Sequence, residues 1–244
     1  MRTVFYSTMT EDQSTAFRGV ARLVSHDDGH ETAQPVGYFG KEGGKSIRSS
    51  KDVVKIFRPT EPGTNLFILG YEADKHWRNE LVRSVLENFW PAIHNGALEV
   101  TVHDTSITAA TLPGLLAEYS QQKKRFHAHQ YYRAYTDPSA TVTTTDLPTL
   151  KTVSVHLLQG DELHNKVAMV RNTGMVIYER PIPPNVPYCG VFECSNETGS
   201  QILRSMEPPS HDKWDPERPG RGANRKAAEE LTRHLRECVK GFDT

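Results

Sequence analysis

The chain has 244 residues and carries 29 basic against 30 acidic side chains, with 36% hydrophobic and 24% charged residues. These proportions describe an ordinary globular protein with enough chain for one large domain or two of ordinary size. They exclude a global positive field that would recruit nucleic acid, and nowhere does the sequence approach the run of about 18 apolar residues that spans a bilayer. Residues Met1 to Thr10 are polar and β-branched with no apolar core of signal-peptide length, so a cytoplasmic protein is expected.

Four segments of the opening third read as strands: Thr3 to Thr8, Phe17 to His26, Val36 to Phe39 and Asn65 to Tyr71. Between Asp27 and Pro62 the composition is rich in Gly, Ser, Asp and Lys, which predicts long surface loops around one short strand. No helix-period segment precedes about Asp74. Strands with one apolar face need a second layer to bury it against, so the pattern predicts that Met1 is not a natural domain start and that the chain is the rear part of a larger protein.

From Asp74 the period changes. Trp77, Leu81, Val85 and Phe89 recur every four residues and Val82, Leu86 and Ile93 fill the neighbouring row, predicting a helix capped by Asp74 and stopped by Asn95-Gly96. Leu98 to Val102 reads as a strand and Thr111 to Gln122 as a shorter helix. The latter ends in Lys123-Lys124-Arg125, a solvated cationic end at a helix C-terminus.

Tyr135 to Thr149, with two prolines and six threonines, is the expected boundary between a first domain over 1–134 and a second over 150–244. The second domain is predicted to hold strands over Thr152 to Leu158, Lys166 to Arg171, Met175 to Glu179 and Tyr188 to Cys194. The turn Asn172-Thr173-Gly174 joins the middle pair, its glycine suited to positive φ. A closing helix from about Asn224 to Lys240 places Ala227, Leu231, Leu235 and Val239 on one face.

Several residues carry candidate chemistry. Cys189, Cys194 and Cys238 lack paired metal-ligand spacing and read as reduced structural thiols. Gly40 to Lys45 lacks the G-x-x-x-x-G-K-[ST] spacing and reads as a loop tip rather than a phosphate loop. His127 and His129 alternate, so on a strand they would face one side and share a metal. With no third ligand nearby and Tyr131 and Tyr132 following, a half-buried aromatic strand without a metal is the expectation. The same tyrosines beside Lys123 to Arg125 form the best platform for single-stranded nucleic acid, where bases stack over a basic groove.

Met206 to Arg218 gathers Glu207, His211, Asp212 and Trp214. A His-Asp general base is conceivable there but no nucleophile accompanies it, so the segment reads as a structural clamp in which Trp214 covers the core and Glu207 or Asp212 caps a turn or the final helix. Finally, Glu61-Pro62-Gly63-Thr64 enters the apolar strand Asn65 to Gly70, a glycine for close approach followed by a short hydroxyl.

Five segments occur in one order over nearly the whole chain: Arg2-Thr3-Val4-Phe5-Tyr6-Ser7-Thr8; Gly63-Thr64 with Phe67-Ile68-Leu69-Gly70; Leu86-Glu87-Asn88-Phe89-Trp90-Pro91-Ala92-Ile93; Arg171-Asn172-Thr173-Gly174-Met175; and Met206-Glu207-Pro208-Pro209-Ser210-His211-Asp212. Together they resemble a bacterial family of uncharacterised Hsp90-like ATP-binding proteins within the gyrase, Hsp90, histidine-kinase and MutL (GHKL) superfamily. The resemblance implies an α/β (α+β) fold, the rear of an incomplete Bergerat-type ATPase sheet followed by a mixed, transducer-like domain. It also implies ATP and magnesium as the cofactors of the intact family, and a switch in which nucleotide state is coupled to the second domain.

By the same resemblance Gly63 and Thr64 stand beside the adenine site, and Arg171 or Lys166 reaches the terminal phosphate, Arg171 being the better placed because it stands at a strand end beside a tight turn. The family's magnesium-holding asparagine helix, its Asp-x-Gly-x-Gly turn and its glycine-rich lid have no counterpart here. The isolated chain is therefore expected to bind neither ATP nor magnesium well and to lack ATPase activity. Its expected partner is the missing N-terminal ATPase portion or a protein client. The alternative is a nucleotide-independent binding module for a protein or single-stranded nucleic acid.

Overall fold

The computed structural model describes residues 3–22, 24–27, 29, 31–33, 35–122, 125–183 and 186–241. Helices and sheets both contribute, as an α/β protein requires. Two compact units divide the chain, Met1–Asp74 and Lys75–Thr244. Arg2, Lys123 and Lys124, which entered the sequence reading, lie outside the described residues.

The first unit is built on an antiparallel sheet. Its strands are β1 (Thr3–Met9), β2 (Thr15–Arg22), β5 (Val36–Phe39) and β6 (Gly63–Leu69), in the spatial order β5-β2-β1-β6; a two-residue pair, β3 (His26–Asp27) and β4 (Thr32–Ala33), stands apart. The register sets Phe5 opposite Gly19 on one side and Phe67 on the other. Because side chains alternate across a strand, this puts Phe5, Phe17, Ile47 and Val53 together in a small core, with Phe57 and Phe67 packed against it. The opposite face carries Tyr6, Leu66 and Ile68, exposed to 46%, 54% and 53%. Gly40 to Lys45 is the exposed loop tip expected, with one 3-10 turn at Glu42–Gly44.

The second unit is layered. A mixed five-stranded sheet in the order β12-β11-β13-β10-β9 joins β9 (Thr141–Leu147), β10 (Lys151–Gln159), β11 (Lys166–Val170), β12 (Val176–Pro181) and β13 (Tyr188–Glu193). Only β11 and β13 run parallel. On one face lie α1 (Trp77–His94), α2 (Leu112–Ser120) and α3 (Ala128–Thr136), with the hairpin β7 (Val100–Val102) and β8 (Thr105–Ile107). On the other lie α4 (Glu197–Ser205) and α5 (Arg221–Lys240). Burial on both faces explains the unbroken apolar run of β11: Ala168 and Val170 enter the first core while Val167 and Met169 enter the second.

Three expectations are corrected. The segment 135–149, expected as a domain boundary, contains β9, whose seven residues pair with β10; the compact units part instead at Asp74 and Lys75. Threonine-rich composition reflects an edge strand here, where β-branched residues are favoured. The aromatic strand expected around His127 to Tyr132 is helix α3, because Ala128, Tyr131 and Ala134 recur at helical spacing and are all buried. The long helix begins at Trp77 with His76 at its N-cap, not Asp74.

Between β11 and β12 the expected turn forms. Gly174 has φ +81° and donates its N–H to the Arg171 carbonyl at 2.8 Å. Its own carbonyl accepts from the Ala92 N–H of α1 at 3.2 Å, and a Cβ on Gly174 would stand 2.5 Å from that nitrogen. Helix and hairpin touch backbone to backbone, which only glycine permits. All three tryptophans, Trp77, Trp90 and Trp214, belong to the second unit, so their fluorescence reports on it alone. Gly174→Ala is expected to lower the stability of this unit by at least ~2 kcal/mol, read as a shift of the denaturant midpoint of tryptophan fluorescence. An unchanged midpoint would refute the contact's importance.

Candidate functional site

Two carboxylates organise the polar chemistry of the second unit, one toward each end of β11. The first is Glu179 on β12. Its Oε2 accepts from Lys166 Nζ at 2.5 Å and its Oε1 meets His127 Nδ1 at 2.9 Å. Arg125 Nε donates to His127 Nε2 at 2.7 Å, so Nε2 is the acceptor and the ring proton sits on Nδ1, facing the carboxylate. The result is a continuous chain from Arg125 through His127 and Glu179 to Lys166.

Beside it, the His164 ring stacks on His127 with centroids 3.8 Å apart and planes 22° from parallel. His164 Nε2 meets the Tyr131 hydroxyl at 2.6 Å and Nδ1 meets Gln130 Oε1. Burial would raise the Glu179 carboxyl, but hydrogen bonds from His127 and Lys166 outweigh it and hold the group at about 2. Burial, reinforced by the His127 ring, pushes His164 down to about 4, so its imidazole is neutral near pH 7. Burial also raises the Tyr131 hydroxyl. Glu87 and Asn88 of α1, Arg125, His127, Lys166 and Glu179 line a cavity of about 350 Å³ at this cluster.

His127, His164 and Glu179 each offer a ligand atom within 4.8 Å of the others, the minimum donor set for a cation. As arranged they do not fit one. The stacked rings hold their in-plane lone pairs in nearly parallel planes that do not converge, and Lys166 already places a positive charge on the carboxylate. His129, paired with His127 in the sequence reading, has no part in this cluster; His164, 37 positions beyond His127 in the numbering, takes that place.

The second carboxylate is Glu207, whose side chain is 2% exposed. Its Oε2 accepts from Arg171 Nη1 at 3.3 Å and meets His211 Nδ1 at 2.9 Å, while Oε1 accepts from Trp214 Nε1 at 3.5 Å. Trp214 packs edge-on against Tyr178 and Phe192 in the core beneath α4 and α5. This is the clamp the sequence predicts, with Glu207 serving Arg171 and the indole rather than capping a helix. Cys194, read from the sequence as a structural thiol, is buried, and burial raises its thiol pKa.

Of the four site residues predicted from sequence, Lys166 and Arg171 flank β11 and are held by these two carboxylates. Gly63 and Thr64 open β6 in the first unit, Gly63 with φ +144° and Thr64 Oγ1 3.3 Å from Thr8 Oγ1. The structure thus groups the four as two pairs in different units. Comparison with protein-family models finds no match, and comparison with curated proteins finds none either.

Truncating Glu207 leaves the Arg171 charge without its carboxylate and the indole without its acceptor. Glu207→Ala is expected to cost roughly 3 kcal/mol in tryptophan-monitored unfolding; a cost below ~1 kcal/mol would show that the clamp is dispensable. A pH effect follows from His164. Its pKa near 4 in the folded protein lies below its ordinary 6.5, so the unfolded chain binds more protons between these values. Stability therefore falls as the pH drops from about 6.5 to 4, and Glu179 extends the loss from about 4.5 toward 2. His164→Gln is expected to reduce the stability difference between pH 7 and pH 4.5 by on the order of 2 kcal/mol. An identical difference in both proteins would contradict a half-buried, neutral imidazole.

Proposed function

We propose that the chain is the C-terminal portion of a GHKL/Hsp90-like ATP-binding protein, coupling nucleotide state to the second unit and lacking ATPase activity by itself. The observation that carries this reading is the cavity at Lys166. This is one of the two basic residues the resemblance assigns to the terminal phosphate, and it opens on a space of about 350 Å³ with Arg125 and His127 beside it. Fixed positive charge at such a place stabilises the charge that develops in phosphoryl transfer. Arg171, the other candidate, is fixed by Glu207 and keeps a buried Nε–H without an acceptor among the described residues.

Further support comes from the way separate motif segments meet. Gly174 touches Ala92, and Arg171 reaches Glu207, so three of the five segments form one packed assembly around the end of β11. On this reading Gly63 and Thr64 contribute to a nucleotide site, ATP and magnesium are the cofactors of the intact protein, and the partner is the N-terminal ATPase portion. We place its action in the cytoplasm; no helix among the described residues is long and apolar enough to cross a membrane.

The second reading, a nucleotide-independent module for a protein partner, is favoured by the exposed Tyr6, Leu66 and Ile68 of the first sheet. Its single-stranded nucleic-acid form rests on Arg125 with Lys123 and Lys124, the last two outside the described residues.

The coding sequence ahead of Met1 tests the proposal. In-frame extension is expected to encode the asparagine helix and Asp-x-Gly-x-Gly turn, and the extended polypeptide to hydrolyse ATP with magnesium. Lys166→Ala should slow turnover at least tenfold with nucleotide affinity little changed, while the 244-residue chain alone shows no magnesium-dependent turnover. A front extension without those motifs, or turnover indifferent to Lys166→Ala and Arg171→Ala alike, would overturn the proposal.

A further inference from the structure

The outermost strand of the first sheet, β6, pairs with β1 along all seven residues, from Thr3 opposite Leu69 to Met9 opposite Gly63. Among the described residues no strand pairs with its other side. An edge strand presents a row of unpaired N–H and C=O groups, and proteins blunt such edges with lysine, proline, a bulge or brevity. The strand β6 has none of these. Its sequence Gly-Thr-Asn-Leu-Phe-Ile-Leu is uncharged and free of proline, its register with β1 is unbroken, and its seven residues are not the short edge that would limit pairing. By contrast β5, at the opposite edge, has four residues.

The exposed side chains add a direction. Leu66 and Ile68 lie on one face with their β1 partners Tyr6 and Val4, and this apolar strip ends abruptly at the seam. We propose that β6 pairs antiparallel with β6 of a second copy across a two-fold axis at Leu66, joining two four-stranded sheets into one of eight.

Self-pairing fits what this strand lacks and what it carries. Leu66 is the middle residue of Gly63–Leu69, so the axis there sets Leu66 against Leu66, Phe67 against Asn65 and Ile68 against Thr64 with every residue matched. No charge stands opposite a like charge, which in most strands forbids an isologous pairing. The apolar strip then runs unbroken through the seam, about 24 Å long for seven residues. A seam of this length buries less than the ~800 Å² per partner of a standard stable interface, so the dimer forms and dissociates with concentration in the micromolar range.

Sedimentation or light scattering on the 244-residue chain between about 1 and 200 µM tests it. The expected result is a monomer that becomes a dimer across this range. Leu66→Lys and Leu66→Glu, each placing like charges face to face at the axis, should raise the dissociation constant at least tenfold. A one-to-one mixture of the two variants should restore the dimer. Leu66 is 54% exposed, so both variants should keep the wild-type far-UV circular dichroism, to which the first sheet contributes, and its thermal unfolding curve. A wild-type chain monomeric at 200 µM, open-ended association, dimers indifferent to both substitutions, or a mixture that stays monomeric would each overturn the proposal.

Discussion

Much of the second unit depends on one buried carboxylate. Glu207 is removed from water, and a carboxylate in that position is tolerable only when charge and hydrogen bonds replace its hydration. Arg171 supplies the charge, and His211 and the Trp214 indole supply further contacts. Arg171 enters from the end of β11, while His211 and Trp214 stand with Glu207 in the segment between α4 and α5. Through Trp214 the carboxylate reaches the core beneath α4 and α5, and through Arg171 it fixes the hairpin whose Gly174 touches α1 on the opposite face of the sheet. The two layers of helices are thereby tied together by contacts more directional than apolar packing, which alone tolerates sliding.

The other end of β11 repeats the logic under different exposure. Glu179 is half-buried and holds Lys166 and His127 at the rim of a cavity, with Arg125 one step beyond. Partial burial strengthens these contacts while leaving Lys166 and Arg125 in the lining of the cavity. Where Glu207 holds its arginine inside the fold, Glu179 holds Lys166 in the lining of a cavity that Arg125 also lines. A ligand bearing phosphate or carboxylate that enters there meets Lys166 and Arg125 already positioned, with little side-chain entropy left to lose.

What could be read from sequence tracks how far each signal is local. The strands β11 and β13 were legible because burial on both faces leaves continuous apolar runs, and α1 and α5 because their apolar rows are long. Helix α4 was not foreseen: Glu-Thr-Gly-Ser-Gln is a poor helix former, and the helix exists because Asn196 caps it and Gly199 lets it lie against Leu150, where a Cβ would stand 2.2 Å from the carbonyl oxygen. Helix α3 was misread because three tyrosines in nine residues weigh toward a strand, while Ala128, Tyr131 and Ala134 mark the buried stripe. The Glu207 clamp was legible in outline, since a carboxylate, an imidazole and an indole stood within eight residues of one another. Its arginine, 36 residues upstream, was not. The His127, His164 and Glu179 cluster escaped for the same reason: its members are separated by 37 and 15 positions, and only the sheet brings them together.

The two units also differ in how their sheets meet solvent. In the second unit both faces of the sheet are covered, and its polar groups converge on defined partners. In the first, the described apolar core is Phe5, Phe17, Ile47 and Val53 with two partly buried phenylalanines packed against it, while Tyr6, Leu66 and Ile68 face outward. At ~25 cal/mol per Å² of apolar surface, a core of that size contributes little against the entropy of ordering more than sixty residues. A sheet so constituted gains stability by covering its apolar side or extending its edge, and both gains come from surfaces that complement its own. The second unit covers both faces of its sheet; the first leaves an apolar face and a seven-residue edge exposed among the described residues.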